Sequence, residues 1–255
     1  MWPRVFFLSA LLAQLAGVTG VKPDDVATLV QKFEHRYRGS STLQAAFLER
    51  YLDHGKEVRS ESGMAYFGKP GKMRWEYQSP ERNLFVVDGK WSWFYVPADH
   101  TATRIRARES SDWRTPLALL AGEMKVSRIC ARVQFDPQAR ALNSNGVMLQ
   151  CVLRGSLPEK PREAGNAVSL LDSQAANVSF ELNRATGELL RIVMFDPGGV
   201  QIEFRFSDWQ FDPRFEGSKF HFDPPVGVAI VDGNMADPAN DPSSAVGGRN
   251  PPKTK

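Results

Sequence analysis

Cysteine is scarce in this 255-residue chain, with only Cys130 and Cys151 present. A structural zinc site needs about four ligands, and neither SRICARV nor MLQCVLR supplies a nearby histidine or a second cysteine. The four histidines, His35, His54, His100 and His221, stand apart without an HExxH spacing, and no G-x-S-x-G nucleophile turn occurs. Gly63, Gly68 and Lys69 match part of a phosphate-binding loop, but Pro70 stands where a magnesium-holding hydroxyl is needed. The intervening Met64, Ala65, Tyr66 and Phe67 also read as strand rather than as a phosphate cradle. Charge of neither sign dominates: 32 basic against 29 acidic residues is too even to argue for nucleic acid. No catalytic residue, metal or cofactor is therefore expected.

Long apolar runs are equally rare. The exception follows Arg4, where VFFLSALLAQLA leads to small residues ending at Gly20. It is too short to span a bilayer and has the charged start and small-residue end of an export signal, so residues 1–20 read as a signal peptide cleaved near Gly20. No other segment approaches about 18 consecutive apolar residues, so the mature chain is expected to be soluble outside the cytoplasm, and no cysteine follows the run to carry a lipid. In that oxidising setting Cys130 and Cys151 are expected to pair.

What is abundant is alternation. KPDDVATLVQKFEHRY first sets Val26, Leu29, Val30, Phe33 and Tyr37 at helical spacing behind Pro23 and two aspartates. Short runs rich in aromatic and branched residues follow, broken by Gly, Pro and Asp turns. Strands are predicted near 43–52, 57–68, 72–78, 83–88, 91–96, 101–108, 147–154, 175–183, 188–195 and 200–209. In GKPGKMRWEY, Met73, Trp75 and Tyr77 alternate with Lys72, Arg74 and Glu76; in VQIEFRF, Val200, Ile202, Phe204 and Phe206 share a face opposite Gln201, Glu203 and Arg205. One greasy and one wet face indicate an antiparallel sheet. Too few helices are available to cover it, so the sheet must curl on itself or bury its apolar face against something else. From residues alone, Met73 and Trp75 fit either a plain core or a ligand wall. SLPEKPREAGNAVSLLDSQ reads as a long loop, and residues 233–255 read as a disordered tail.

The segment GMAYFGKPGKMRWEYQSPERNLFVVDGKWSWFYVPADHTATR, then TPLALLAG, then KFHFDPPVGVAIVD, resembles the LolA family over residues 22–232. The resemblance implies one domain, 21–232, that is mainly β with short helices: a large antiparallel sheet of about 11 strands curled into an unclosed barrel, with a helical lid over a hydrophobic cavity. It implies a periplasmic, monomeric carrier that takes acylated lipoproteins from an inner-membrane lipoprotein-releasing ABC transporter to an outer-membrane lipoprotein receptor. A lipid or lipoprotein sensor, or another hydrophobic-ligand binder of the same fold, is the alternative. A sensor of this kind is expected to carry an extra C-terminal domain, for which 233–255 is too short. The cavity and lid candidates are Phe47, Phe67, Met73, Trp75, Val86, Trp93, Pro116, Leu117, Leu119, Leu120, Ile202 and Phe204. Lys69 stands where many members carry an arginine that bonds lid carbonyls. Lysine keeps the charge without the planar fork of donors.

The signal reading predicts that protein recovered from the exported fraction begins at Val21. Intact-mass analysis showing a retained Met1 would overturn it.

Overall fold

The computed structural model describes residues 23–107, 118–121, 125–154, 177–195 and 199–233. The expected signal peptide, Pro116, Leu117, the segment 156–174 expected as a long loop and nearly all of the tail lie outside the described residues. So does the side chain of Leu119.

The chain opens with helix α1 (Pro23–Arg38), followed by strands β1 (Thr42–Asp53), β2 (Lys56–Gly68), β3 (Lys72–Ser79), β4 (Leu84–Val87), β5 (Trp91–Val96) and β6 (Thr101–Arg106). Two four-residue helices, α2 (Ala118–Ala121) and α3 (Val126–Ile129), precede β7 (Cys130–Phe135), β8 (Gly146–Leu153), β9 (Asn177–Asn183), β10 (Leu189–Phe195), β11 (Val200–Phe211) and β12 (Ala229–Asp232). All the described strands form one sheet in the order β12-β6-β5-β4-β3-β2-β1-β11-β10-β9-β8-β7. Its two ends do not pair with each other, so the sheet is large and unclosed, as the sequence suggests. Pairing is antiparallel except at one edge, where β12 runs parallel to β6. The sequence reading missed β7 and β12, which are edge strands without strict alternation.

Curvature follows from side-chain contacts. β3 and β11 are three strand spacings apart in the sheet, about 14 Å if it were flat. Yet the rings of Trp75 on β3 and Phe204 on β11 lie 5.4 Å apart, so the sheet bends until inward-pointing rows meet. Leu29, Phe33 and Tyr37 of α1 join the same buried cluster, which places the helix on the concave side. There the Leu189 N–H donates to Tyr37 Oη at 2.9 Å, and Trp209 Nε1 donates to the Leu189 carbonyl at 2.9 Å.

Two glycines make these approaches possible. Gly187, with φ +70°, brings the β9–β10 turn so near α1 that a Cβ would lie 2.7 Å from the Lys32 carbonyl carbon. At Gly63 a Cβ would lie 2.0 Å from the Glu76 carbonyl oxygen, so the β2–β3 pairing excludes any side chain there.

The convex face is less wet than alternation implies. Residues 212–228 pass over part of it, and Phe222 closes a second cluster with Val86, Trp93 and Ala102. Farther along, Arg191 on β10 bridges Glu181 on β9 at 2.8 Å and Glu203 on β11 at 2.9 Å. Arg50 and Arg205 also bind Glu203, at 2.9 and 2.8 Å, and the Leu142 and Asn143 N–H groups donate to Glu181. Five side chains on four neighbouring strands thus hold one ion-pair ladder.

Removing Arg191 leaves two buried carboxylates short of a partner. Arg191→Met is expected to cost about 3 kcal/mol in urea unfolding. Burial pushes the Glu203 carboxyl up, but hydrogen bonds from Arg191, Arg50 and Arg205 outweigh it and hold the pKa below the usual carboxylate value. Its stabilisation is therefore complete above the unfolded value of about 4.3 and lost as pH falls through the lower folded value. Glu203→Gln should flatten that acid limb in a pH series of melting temperatures.

Candidate functional site on the concave face

Period-two alternation on β1, β2, β3 and β11 sends large side chains inward from strands that curve toward one another. Trp75 is fully buried at the centre, and its ring centroid lies 4.9 Å from Phe47, 5.7 Å from Phe67, 5.4 Å from Phe204 and 6.1 Å from Phe206. These are mostly edge-to-face contacts, the geometry aromatic quadrupoles favour. A bulge extends the row. Asp208 takes φ 54°, and the β1–β11 register shifts between Gln44 and Ala46. Trp209 and Phe211 consequently turn inward, where the Trp209 ring lies tilted 5.4 Å from Phe206 and stacked 6.2 Å from Phe67.

Polar groups occupy one end of this surface. Glu49 follows Phe47 at the inward positions of β1 and is fully buried. Tyr51 Oη donates to one of its oxygens, and Tyr77 Oη donates to the other at 2.8 Å. Glu61 lies directly opposite Glu49 on β2 and accepts from Arg59 at 2.5 Å. Arg59 in turn spreads its guanidinium over the Tyr51 ring at 4.9 Å.

The other end is closed by the β2–β3 turn and the short helices. Leu120 and Ala121 of α2 are buried in the same cluster as the aromatic rings. Gly71 N–H donates to the Ala121 carbonyl at 2.7 Å, which fastens α2 to the turn. Among the described residues, Lys69 binds α1. Its Nζ donates to the Tyr37 carbonyl at 2.5 Å and the Arg38 carbonyl at 3.2 Å, acceptors at the C-terminus of α1 that the helix itself leaves unpaired. Burial lowers the Lys69 pKa, Asp212 acts to raise it and Arg38 to lower it, with a net fall.

Of the sequence candidates, Phe47, Phe67, Met73, Trp75, Leu120, Ile202 and Phe204 share this cluster. Val86 and Trp93 do not. They occupy the opposite parity on β4 and β5 from Phe85, Val87 and Phe94, so they face the convex cluster and are corrected out of the concave surface. Both were chosen as large apolar residues in a strand without fixing which face was inward. Tyr51, Tyr77 and Phe206 were missed although strand parity points to them, and so was Glu49. Only the bulge at Asp208 could reveal Trp209. The Cys130–Cys151 pair forms a disulfide that ties edge strand β7 to β8 beside the site.

The concave face is accordingly an aromatic surface with α2 at one end and a carboxylate–tyrosine group at the other. A separate open groove of about 650 Å³ runs between α1, α3 and β7, lined by Val26, Val30, Val126 and Val133. The family model of the outer membrane lipoprotein carrier protein LolA matches residues 38–142, which span β1 to the loop after β7. An outer-membrane lipoprotein carrier protein of Chromobacterium violaceum is 28% identical over 227 residues, covering 89% of this chain and 98% of that protein. The chain is similar to this family over most of its length. A carrier protein of the same description from Nitrosomonas europaea is 29% identical, covering 80% of this chain and 89% of its own. Among solved structures, an uncharacterized conserved protein from Thermus thermophilus superposes with a TM-score of 0.48 at 13% identity, covering 81% of this chain and 98% of that one.

In this chain the β2–β3 turn holds two helices by two different groups. Lys69→Met should release the end of α1 and lower stability by about 1 kcal/mol, while the Gly71 bond to α2 persists. Faster amide exchange at 35–38 with unchanged exchange at Gly71 is the expected pattern in hydrogen-exchange mass spectrometry. Equal acceleration at both sites would show that Lys69 serves the lid after all.

Proposed function

We propose that this protein is a periplasmic carrier that shields the acyl chains of lipoproteins on the concave face and passes them from an inner-membrane ABC transporter toward an outer-membrane receptor. The observation that carries the reading is the buried aromatic surface around Trp75, closed at one end by α2. The curated relatives, which are named lipoprotein carriers over nearly their whole length, support it. The protein acts by binding rather than by catalysis.

The energetics define what such a carrier must do. Three acyl chains of about 15 methylenes would cost on the order of 36 kcal/mol to expose to water. The tightest non-covalent complexes reach only about 21 kcal/mol, so extraction from a membrane needs energy from a partner. The carrier's part is to keep the chains dry in transit and still release them. Ring-on-ring packing suits this task. Entering chains replace contacts that Phe47, Phe67, Trp75 and Phe204 already make with one another, so the net gain is smaller than full transfer from water. The turn bearing Lys69 and Gly71 is the proposed latch, and Pro116, Leu117, Leu119 and Leu120 are the proposed lid.

Mature protein incubated with transporter-bearing membranes and ATP is expected to leave with acylated lipoprotein bound, as seen by native mass spectrometry. Phe47→Glu, which puts a charge among the rings, should reduce the loaded fraction at least tenfold while the sheet's circular dichroism is kept. Loading by neither protein, in the presence of active transporter, would sink the carrier reading.

A further inference from the structure

Trp75 is fully buried, and its indole Nε1 is one of the few buried side-chain polar atoms with no hydrogen-bond partner among the described residues. A buried donor without an acceptor is costly, and such groups ask for an explanation. The neighbours within ring-contact range are Phe47, Phe67, Phe204 and Phe206, none of which has a side-chain acceptor. The nearby polar side chains are engaged elsewhere: Tyr51 and Tyr77 both donate to Glu49. Phenylalanine would fill most of the same space without the unsatisfied N–H.

We infer that the Trp75 indole N–H is a specificity-determining donor, placed to bind the acyl carbonyl where a lipid chain joins its headgroup. The inference rests on the carrier reading and adds the chemistry of the bound group. Methylenes offer nothing to an N–H, whereas an ester or amide carbonyl offers an acceptor at one fixed point along an otherwise greasy molecule. The order of inward residues along β3 sets the direction. Met73 lies toward the turn and α2, Trp75 is central, and Tyr77 reaches the carboxylate of Glu49. Chains would lie toward Met73 and Phe67, with the carbonyl at Trp75 and the polar head toward Tyr77 and Glu49.

Trp93 provides an internal control. Its Nε1 is also unpartnered, but its ring sits on the convex face, 5.5 Å from Phe222 and 5.5 Å from the guanidinium carbon of Arg104. It is remote from the lidded surface, so its replacement should not distinguish between lipids.

The test compares 1,2-dioctanoylglycerol with 1,2-di-O-octylglycerol, which keeps the chains and replaces each ester by an ether without a carbonyl. Calorimetric titration of the mature protein, Trp75→Phe and Trp93→Phe is expected to show the ester bound about tenfold more weakly by Trp75→Phe, with the ether unchanged. Trp93→Phe should match the parent for both. In the parent protein, the indole proton resonance of Trp75 should move farther downfield with the ester than with the ether, a readout that does not depend on the variant folding. Equal loss of ester and ether affinity, or no carbonyl-dependent resonance shift, would overturn the donor role and leave the carrier reading standing. Failure of the parent protein to bind either lipid would overturn both.

Discussion

The constraint on which the rest of the structure depends is an apolar sheet face wider than its helices can cover. The twelve described strands present inward rows of large side chains, and α1 with the four-residue helices α2 and α3 cannot bury them all. Bending the sheet solves much of the problem, because rows from β3 and β11 then bury each other across the two strands between them. Glycines at 63 and 187 supply the close approaches that bending and helix docking require. The result is a surface of aromatic rings packed on one another.

The convex side carries the opposite chemistry. There Arg191, Arg50 and Arg205 surround Glu203, and Arg191 extends the ladder to Glu181. Such pairing ties β1, β11, β10 and β9 together from outside through groups that have no part in the concave surface. The scaffold is thus held by ion pairs on one face and presents greasy side chains on the other. Between them, the β2–β3 turn touches both helical covers, α1 through Lys69 and α2 through Gly71. That turn also begins the Met73–Trp75–Tyr77 row.

Much of this could be read before folding was considered. Strict alternation in MRWEY and VQIEFRF put Met73, Trp75, Tyr77, Ile202, Phe204 and Phe206 on inward rows, and the structure keeps them there. Alternation failed where the backbone left its regular repeat or where hydrophobic residues occupied both parities. Asp208 breaks the repeat and turns Trp209 and Phe211 inward. LFVV and WSWFYV are apolar on both sides, which made Val86 and Trp93 look like Phe85 and Phe94 although they pack under Phe222. Strand β12 has too short and exposed a sequence to declare itself, and it exists because a parallel partner, β6, lies beside it.

By itself the sequence determined the local periods: a helix from 3.6-residue spacing, strands from two-residue spacing, and the turn signals between them. It also determined the chemistry available to the protein, rich in aromatic side chains, because residue type is independent of fold. Only the tertiary structure decided which charged groups are buried, which helix Lys69 caps, and that Trp75 has a donor without an acceptor among the described residues. Those facts depend on atoms brought together from strands far apart in the chain, and no local spacing carries them.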